Sequence, residues 1–290
     1  MPLLSRYALC FLATMFLTIP LDDALAADDS ASGSTLIPSG LLFQPPLADP
    51  LSPVPYLQYL ATTNDETHLG KVGAGATFGL VRFEEGTMDL QLNIDGGIFS
   101  RFDLHGAFTA ETVDYLIGFP IDMVPAGSSK GWAFQLTPYH TSSHLLDQTI
   151  LKDGNSPPPE ESVPYTRDVI KFLTAYRFTP LNRLYAGFSY AFNGENRTYL
   201  HNYQAGSEFF SSPKTVSGSE FRLYVADDLQ VKEETDWNLN LNLQVGLSIK
   251  RPDERNRLRI AIEYYAGSAV EGKLHQQKEQ NVGLSAFFDL

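Results

Sequence analysis

Cysteine is nearly absent. The 290-residue chain holds one, Cys10, which excludes a disulfide framework and any zinc site built on thiolates. Basic residues are scarce too: 21 Lys and Arg stand against 34 Asp and Glu, a formal charge of −13. Nucleic-acid binders displace the counterions of phosphate with basic groups, so nucleic acid is excluded as a partner. Charged residues are 19% and hydrophobic ones 43%, too apolar a balance for a chain that stays unfolded. No apolar run beyond the N-terminus reaches the roughly 20 residues of a membrane helix. What the chain has in quantity is aromatic, with 14 Tyr and 19 Phe.

Residues 1–26 read as a secretory signal. Arg6 supplies the positive start, residues 7–20 the short apolar stretch, and Ala24-Leu25-Ala26 the small residues of a cleavage site. Cys10 precedes most of the apolar run, which argues against lipidation. Cleavage would leave a mature chain without cysteine, outside the cytoplasm. Residues 27–55 form a Pro-rich N-terminal segment expected in the periplasm, of which residues 44–55 are expected to run under or into the remainder as a plug. Residues 56–290 form the main domain.

That domain has a period of two. From residue 237 to 250, Trp237, Leu239, Leu241, Leu243, Val245, Leu247 and Ile249 alternate with polar or small residues. Met88, Leu90, Leu92 and Ile94 alternate with Asp89, Gln91, Asn93 and Asp95. Such segments are strands with one apolar and one wet face. The spacing predicts about twelve: 56–63, 70–83, 88–103, 112–124, 130–144, 165–178, 182–193, 199–210, 219–230, 236–250, 256–266 and 281–290. Short turns at 84–87, 125–129 and 179–181 alternate with long loops at 104–111, 145–164 and 267–280. This is the pattern of an all-β, antiparallel up-and-down transmembrane barrel, with short turns on the periplasmic side and long loops outside. A soluble β-sandwich is the alternative, but segments of 10–15 residues exceed its usual strands. Gly73, Gly75, Gly79, Gly187 and Gly246 join Asn, Gln, Arg and Glu on the inward parity, so the interior is water-filled or plugged. Val282, Leu284, Ala286, Phe288 and Leu290 share one parity at the C-terminus. They resemble the β-signal read by the barrel-assembly machinery, with Leu290 in place of the more usual Phe. The expected location is the cell outer membrane, in contact with its lipids and lipopolysaccharide.

The segment 130–144 carries the chemistry. Trp132, Phe134 and Leu136 give its outward parity, and an unbroken strand places His140, Ser142 and His144 on the same face at the outer end. An imidazole beside a hydroxyl is the minimal activated nucleophile, and a third group usually orients the imidazole. Asp168, outward on the next strand, is the candidate. Ser143, His144 and Asp147 are supporting or alternative binding residues. A one-residue bulge would turn the set into the lumen, where it would bind a ligand without doing chemistry. Asp227, Asp228, Glu233, Glu234 and Asp236 are expected to crowd an outer loop, and His201 and His275 to be solvated near outer ends.

His140-Thr141-Ser142 resembles the His-x-Ser element of outer-membrane phospholipase A and of the lipid A deacylase. In those families the pair lies on the lipid-facing side of a strand, with a third member on the following one. Here Ser143 stands where they commonly have Asn, and Asp168 where they have Asn or Glu. Calcium is implied by the phospholipase analogy alone, and no compact ligand set or other metal site is evident. A broader resemblance, to the bacterial family called domain of unknown function twelve-oh-seven, rests on five stretches. These are Phe43-Gln44-Pro45-Pro46-Leu47-Ala48-Asp49-Pro50, Gly97-Ile98-Phe99-Ser100-Arg101-Phe102-Asp103-Leu104, residues 139–147, Glu234-Thr235-Asp236-Trp237 and Glu263-Tyr264-Tyr265-Ala266-Gly267. It implies a Gram-negative envelope protein and supplies no activity. Two readings stand: a structural or channel-like barrel with a polar lumen, and a lipid acyl hydrolase using Ser142, His140 and Asp168.

Overall fold

The computed structural model describes residues 33–63, 67–84, 86–104, 109–146, 165–194, 200–251 and 256–289. The expected signal segment and Asp147 lie outside them. Fifteen strands form one antiparallel sheet: β1 (Ser34–Leu36), β2 (Tyr56–Thr62), β3 (His68–Phe83), β4 (Met88–Asp103), β5 (Thr109–Gly118), β6 (Ile121–Pro125), β7 (Gly131–Leu145), β8 (Tyr165–Arg177), β9 (Arg183–Gly194), β10 (Leu200–Phe210), β11 (Lys214–Val216), β12 (Ser219–Lys232), β13 (Leu239–Lys250), β14 (Arg257–Ser268) and β15 (Lys278–Asp289). Each long strand pairs with its neighbours in sequence, and β15 closes on β2 through Asn281–Thr62 and Phe287–Tyr56. With β5 and β6 counted as one and the short β1 and β11 left outside, the ring is a closed barrel of twelve strands. Closure removes the sheet edges that would otherwise invite pairing with other chains.

Three local departures from the expected spans have causes in the backbone. The segment 112–124 is interrupted between β5 and β6 at Phe119-Pro120, where proline has no N–H to give the ladder. Trp237, despite its place in the alternation, precedes β13: a 3-10 turn at Glu233–Thr235 is followed by Asp236 and Trp237 at φ 53° and 59°. A side chain at such φ is uncommon, and the Trp237 ring lies 6.0 Å from that of Tyr203. Between β10 and β12, the short β11 folds back on the start of β12.

The barrel is apolar outside and polar inside. Leu223, Leu284 and Ile262 are 60% or more exposed on the outer face, while Gln91, Asn93, Asp122, Asn281 and Arg259 are fully buried within. An outer surface so rich in apolar side chains belongs against something other than water.

The interior is filled from one end by the residues preceding β2. Phe43 packs with Val124, Ala133, Leu173, Ala175 and Tyr185, and Ala48 with Tyr224, Ala226, Ala261 and Phe287. Asp122 accepts the Phe43 N–H at 3.1 Å, Glu208 accepts that of Leu47 at 2.8 Å, and Asn242 donates to the Ala48 carbonyl at 2.9 Å. Arg183 holds the carbonyls of Gln44 and Pro45. At the centre, buried Asp49 accepts from Gln204 at 3.0 Å and from Gln230 and Lys171 at 3.4 Å each. A proline-rich segment cannot satisfy its own carbonyls in a ladder, so the barrel wall supplies the donors.

From the opposite end, residues 269–277 fold over the bore. Glu271 pairs with Lys71 at 2.9 Å and Arg101 at 3.6 Å, and Arg101 also bonds Glu111 and Glu279. Of the acidic residues expected to crowd an outer loop, Glu233, Glu234 and Asp236 stand in the connection between β12 and β13, whereas Asp227 and Asp228 lie within β12. Asp228 faces inward on β12 and accepts from Tyr185, Gln204 and Gln230, while Asp227 bonds Ser207. Of the two histidines expected to be solvated, His201 is exposed and bonds Glu233 at 2.8 Å, while His275 is half-buried with Nδ1 2.6 Å from the Gly272 carbonyl.

Candidate functional site

Strand β7 keeps its alternation to the tip. Ala133, Gln135, Thr137 and Ser143 are buried, and neither the β5 nor the β8 register shifts along it. With no bulge, His140, Ser142 and His144 continue the outward face begun by Trp132 and Phe134. Asp168 on β8 is directly opposite His140, and the two are joined by a 2.7 Å hydrogen bond between Nδ1 and Oδ1. That bond leaves Nε2 as the nitrogen able to accept a proton. Ser142 lies two residues further along the strand, in register with Tyr115 on β5 and Thr166 on β8. Among the described residues its hydroxyl makes no hydrogen bond to His140.

Sequence-candidate residues divide between the faces. His144 is outward, with its ring edge-on to Tyr115 at 5.9 Å. Ser143 points inward and is 1% exposed. Its hydroxyl donates to Asp114 at 2.5 Å and accepts the Lys273 N–H at 3.0 Å, while Asp114 also accepts the Gly272 N–H at 2.9 Å. The residue beside the candidate nucleophile therefore ties β7 to β5 and to the loop that covers the bore. Asp114, Tyr115 and Lys273 were absent from the sequence-level site. Strand parity marks Asp114 as inward, but nothing local announces its partner Gly272, 158 residues away.

A second outward histidine gives a useful contrast. His201 bonds Glu233 and lies 5.1 Å from the Tyr190 ring, but the residue two further along β10 is Tyr203, not a serine. The imidazole–carboxylate pair at His140 is the one accompanied by an aliphatic hydroxyl on the same strand face. Below it, toward the short turns, a run of outward aromatics crosses three strands: Trp132, Phe134, Phe172, Tyr176 and Phe188, with successive ring centroids 5.2–6.4 Å apart.

The described residues of the site do not by themselves make up a calcium site: that ion takes six to eight oxygen ligands. Among the described residues no group of three or more His, Asp or Glu could hold a metal, and the one carboxylate of the site, Asp168, is committed to His140.

A family model described as "Protein of unknown function (DUF1207)" matches residues 19–290. No curated protein matches. Among solved structures, the Salmonella typhi outer membrane phospholipase (OMPLA) dimer with bound calcium aligns at TM-score 0.51 and 15% identity, over 83% of this chain and 94% of that one. The β domain of the Bordetella autotransporter BrkA aligns at TM-score 0.44 and 11% identity, over 81% and 97%. The likeness is one of fold.

Proposed function

The chain belongs to the DUF1207 family, and we propose that it is an outer-membrane barrel whose outward site hydrolyses acyl esters of outer-leaflet lipid. The observation that carries this reading is the His140–Asp168 hydrogen bond on the apolar exterior, with Ser142 two residues along the same face. Polar groups facing hydrocarbon are costly and tend to be functional; here they lie at the loop end, where ester groups meet the membrane interface. In the reaction, Asp168 orients the imidazole and stabilises its charged form. His140 Nε2 takes the proton as Ser142 Oγ attacks the acyl carbonyl, and returns it to the departing alcohol oxygen. Water then repeats the sequence, frees the fatty acid and restores the hydroxyl. The aromatic run from Phe172 to Trp132 offers the acyl chains a surface beneath the reacting carbon.

The test is fatty-acid release from phospholipid or lipid A in mixed micelles. Wild-type protein releases acid, and Ser142→Ala lowers the rate by about a thousandfold or more while the barrel still folds. Release that survives Ser142→Ala would sink the proposal. A second reading, a non-enzymatic structural barrel, is favoured by the absence of a Ser142–His140 hydrogen bond. It expects no release from folded wild-type protein. Under either reading the occupied bore supports little conductance in planar bilayers.

A further inference from the structure

At the turn end of the bore, between residues 37–47 and the barrel wall, lies a cavity of about 690 Å³. Lys250 at the end of β13 and Arg257 at the start of β14 both line it, and they are directly opposite each other in the ladder. Like charges so placed repel and destabilise a strand pair. Among the described residues two carboxylates stand beside them and act on them electrostatically, but each is hydrogen-bonded to a different arginine. Glu220, opposite Lys250 on β12, is bonded to Arg222 Nε at 2.6 Å. Asp289, opposite Arg257 on β15, accepts from Arg259 at 2.9–3.1 Å. Further round the wall, Glu208 is held by Arg183 at 2.8 Å. Among the described residues, Lys250 and Arg257 have no hydrogen bond or ion pair. The Arg257 guanidinium lies over the Phe210 ring, 5.2 Å from its centroid, which steadies its plane and leaves its N–H edge for a ligand.

We propose that this cavity binds a phosphate group between Lys250 and Arg257. The charge pattern selects an anion. In a chain of −13, the described side chains lining the cavity include Arg177, Arg183, Lys250, Arg257 and Arg259 against Glu208 and Asp289, five cations to two anions. The geometry selects a tetrahedral oxyanion, since a guanidinium fork takes two oxygens and an ammonium takes another as a point charge. A bound phosphate would convert the repulsion across β13 and β14 into a bridge. The proposal is independent of the hydrolase reading, which concerns the opposite end and face.

The test uses the purified protein in detergent, with inorganic phosphate and glycerol phosphate as probes at matched ionic strength. Thermal melting and ³¹P line broadening are followed together. At least one probe raises the melting temperature saturably and broadens its own resonance. Arg257→Gln and Lys250→Met each weaken binding fivefold or more, and Lys250→Met raises the melting temperature in phosphate-free buffer. Equal or stronger binding of inorganic phosphate identifies the free anion; tenfold tighter glycerol phosphate identifies an esterified headgroup. The proposal is overturned if neither probe binds wild-type protein, or if binding is unchanged in both variants. The line broadening reads wild-type protein alone and needs no variant to fold.

Discussion

His140 shows what one residue's surroundings decide. Its imidazole is fixed by Asp168 at 2.7 Å, on a face rich in Trp, Phe, Tyr and Ile. If Asp168 orients the ring, Asp168→Asn keeps the contact but disfavours the charged imidazole that forms during attack. Fatty-acid release should then fall by about a hundredfold or more, with micelle affinity unchanged. An equal loss in kcat and in substrate binding would instead mark Asp168 as a packing residue. Glu271 is a residue-scale case with a pH dependence. Burial alone would raise its carboxyl, but Lys71 and Arg101 outweigh burial and hold it down at about 2. A folded value below the unfolded 4.5 means that this stabilisation is complete above pH 4.5 and is lost as pH falls toward 2. Melting curves from pH 6 to 2 should show the decline, and Glu271→Gln should flatten it.

At the scale of elements, the segment inside the bore and the closing seam are the features that a single change tests. Asp49 is the one carboxylate of that segment bonded to Lys171, Gln204 and Gln230 together. Asp49→Ala leaves Lys171 without its counter-charge and should cost up to about 3 kcal/mol. It should also raise conductance as the segment loosens; an unchanged melt and an unchanged current would show that the segment is held by packing alone. Where β15 meets β2, a Cβ on Gly283 would come within 1.9 Å of the Tyr59 carbonyl oxygen and 2.8 Å of Leu60 Cα. Backbone cannot yield as a flexible side chain does, so Gly283→Ala should destabilise the closed barrel by about 1–3 kcal/mol. Heat-dependent gel mobility would register it as an earlier loss of the folded band.

For the molecule as a whole, the distribution of polarity is the governing fact. Its exterior carries Leu57, Phe78, Leu223, Ile262 and Leu284 in the open, and its interior buries Arg259, Gln91 and Asn281. That arrangement is stable where the outer medium is hydrocarbon, and in water it would aggregate. The protein should therefore stay monodisperse in detergent and precipitate on its removal; a soluble monomer without detergent would contradict the membrane reading.

Much of this was legible in the chain itself. The period of two is a local property of each strand, so the parity of Trp132, Phe134, His140, Ser142 and Asp168 could be read without knowing any partner. Spacing between turn and loop signals supplied the number of crossings for the same reason. Local reading failed where the backbone broke its own rhythm, at Pro120 and at Trp237. It also could not reach pairings over long separations. Parity proposed Asp168 as the partner of His140, but that Ser143 reaches Lys273, that Asp49 sits among Lys171, Gln204 and Gln230, and that Lys250 opposes Arg257 all depend on register. Register is set by how twelve strands close on one another and on the segment they enclose. Alternation determines which face a side chain takes, and the tertiary structure decides what it finds there.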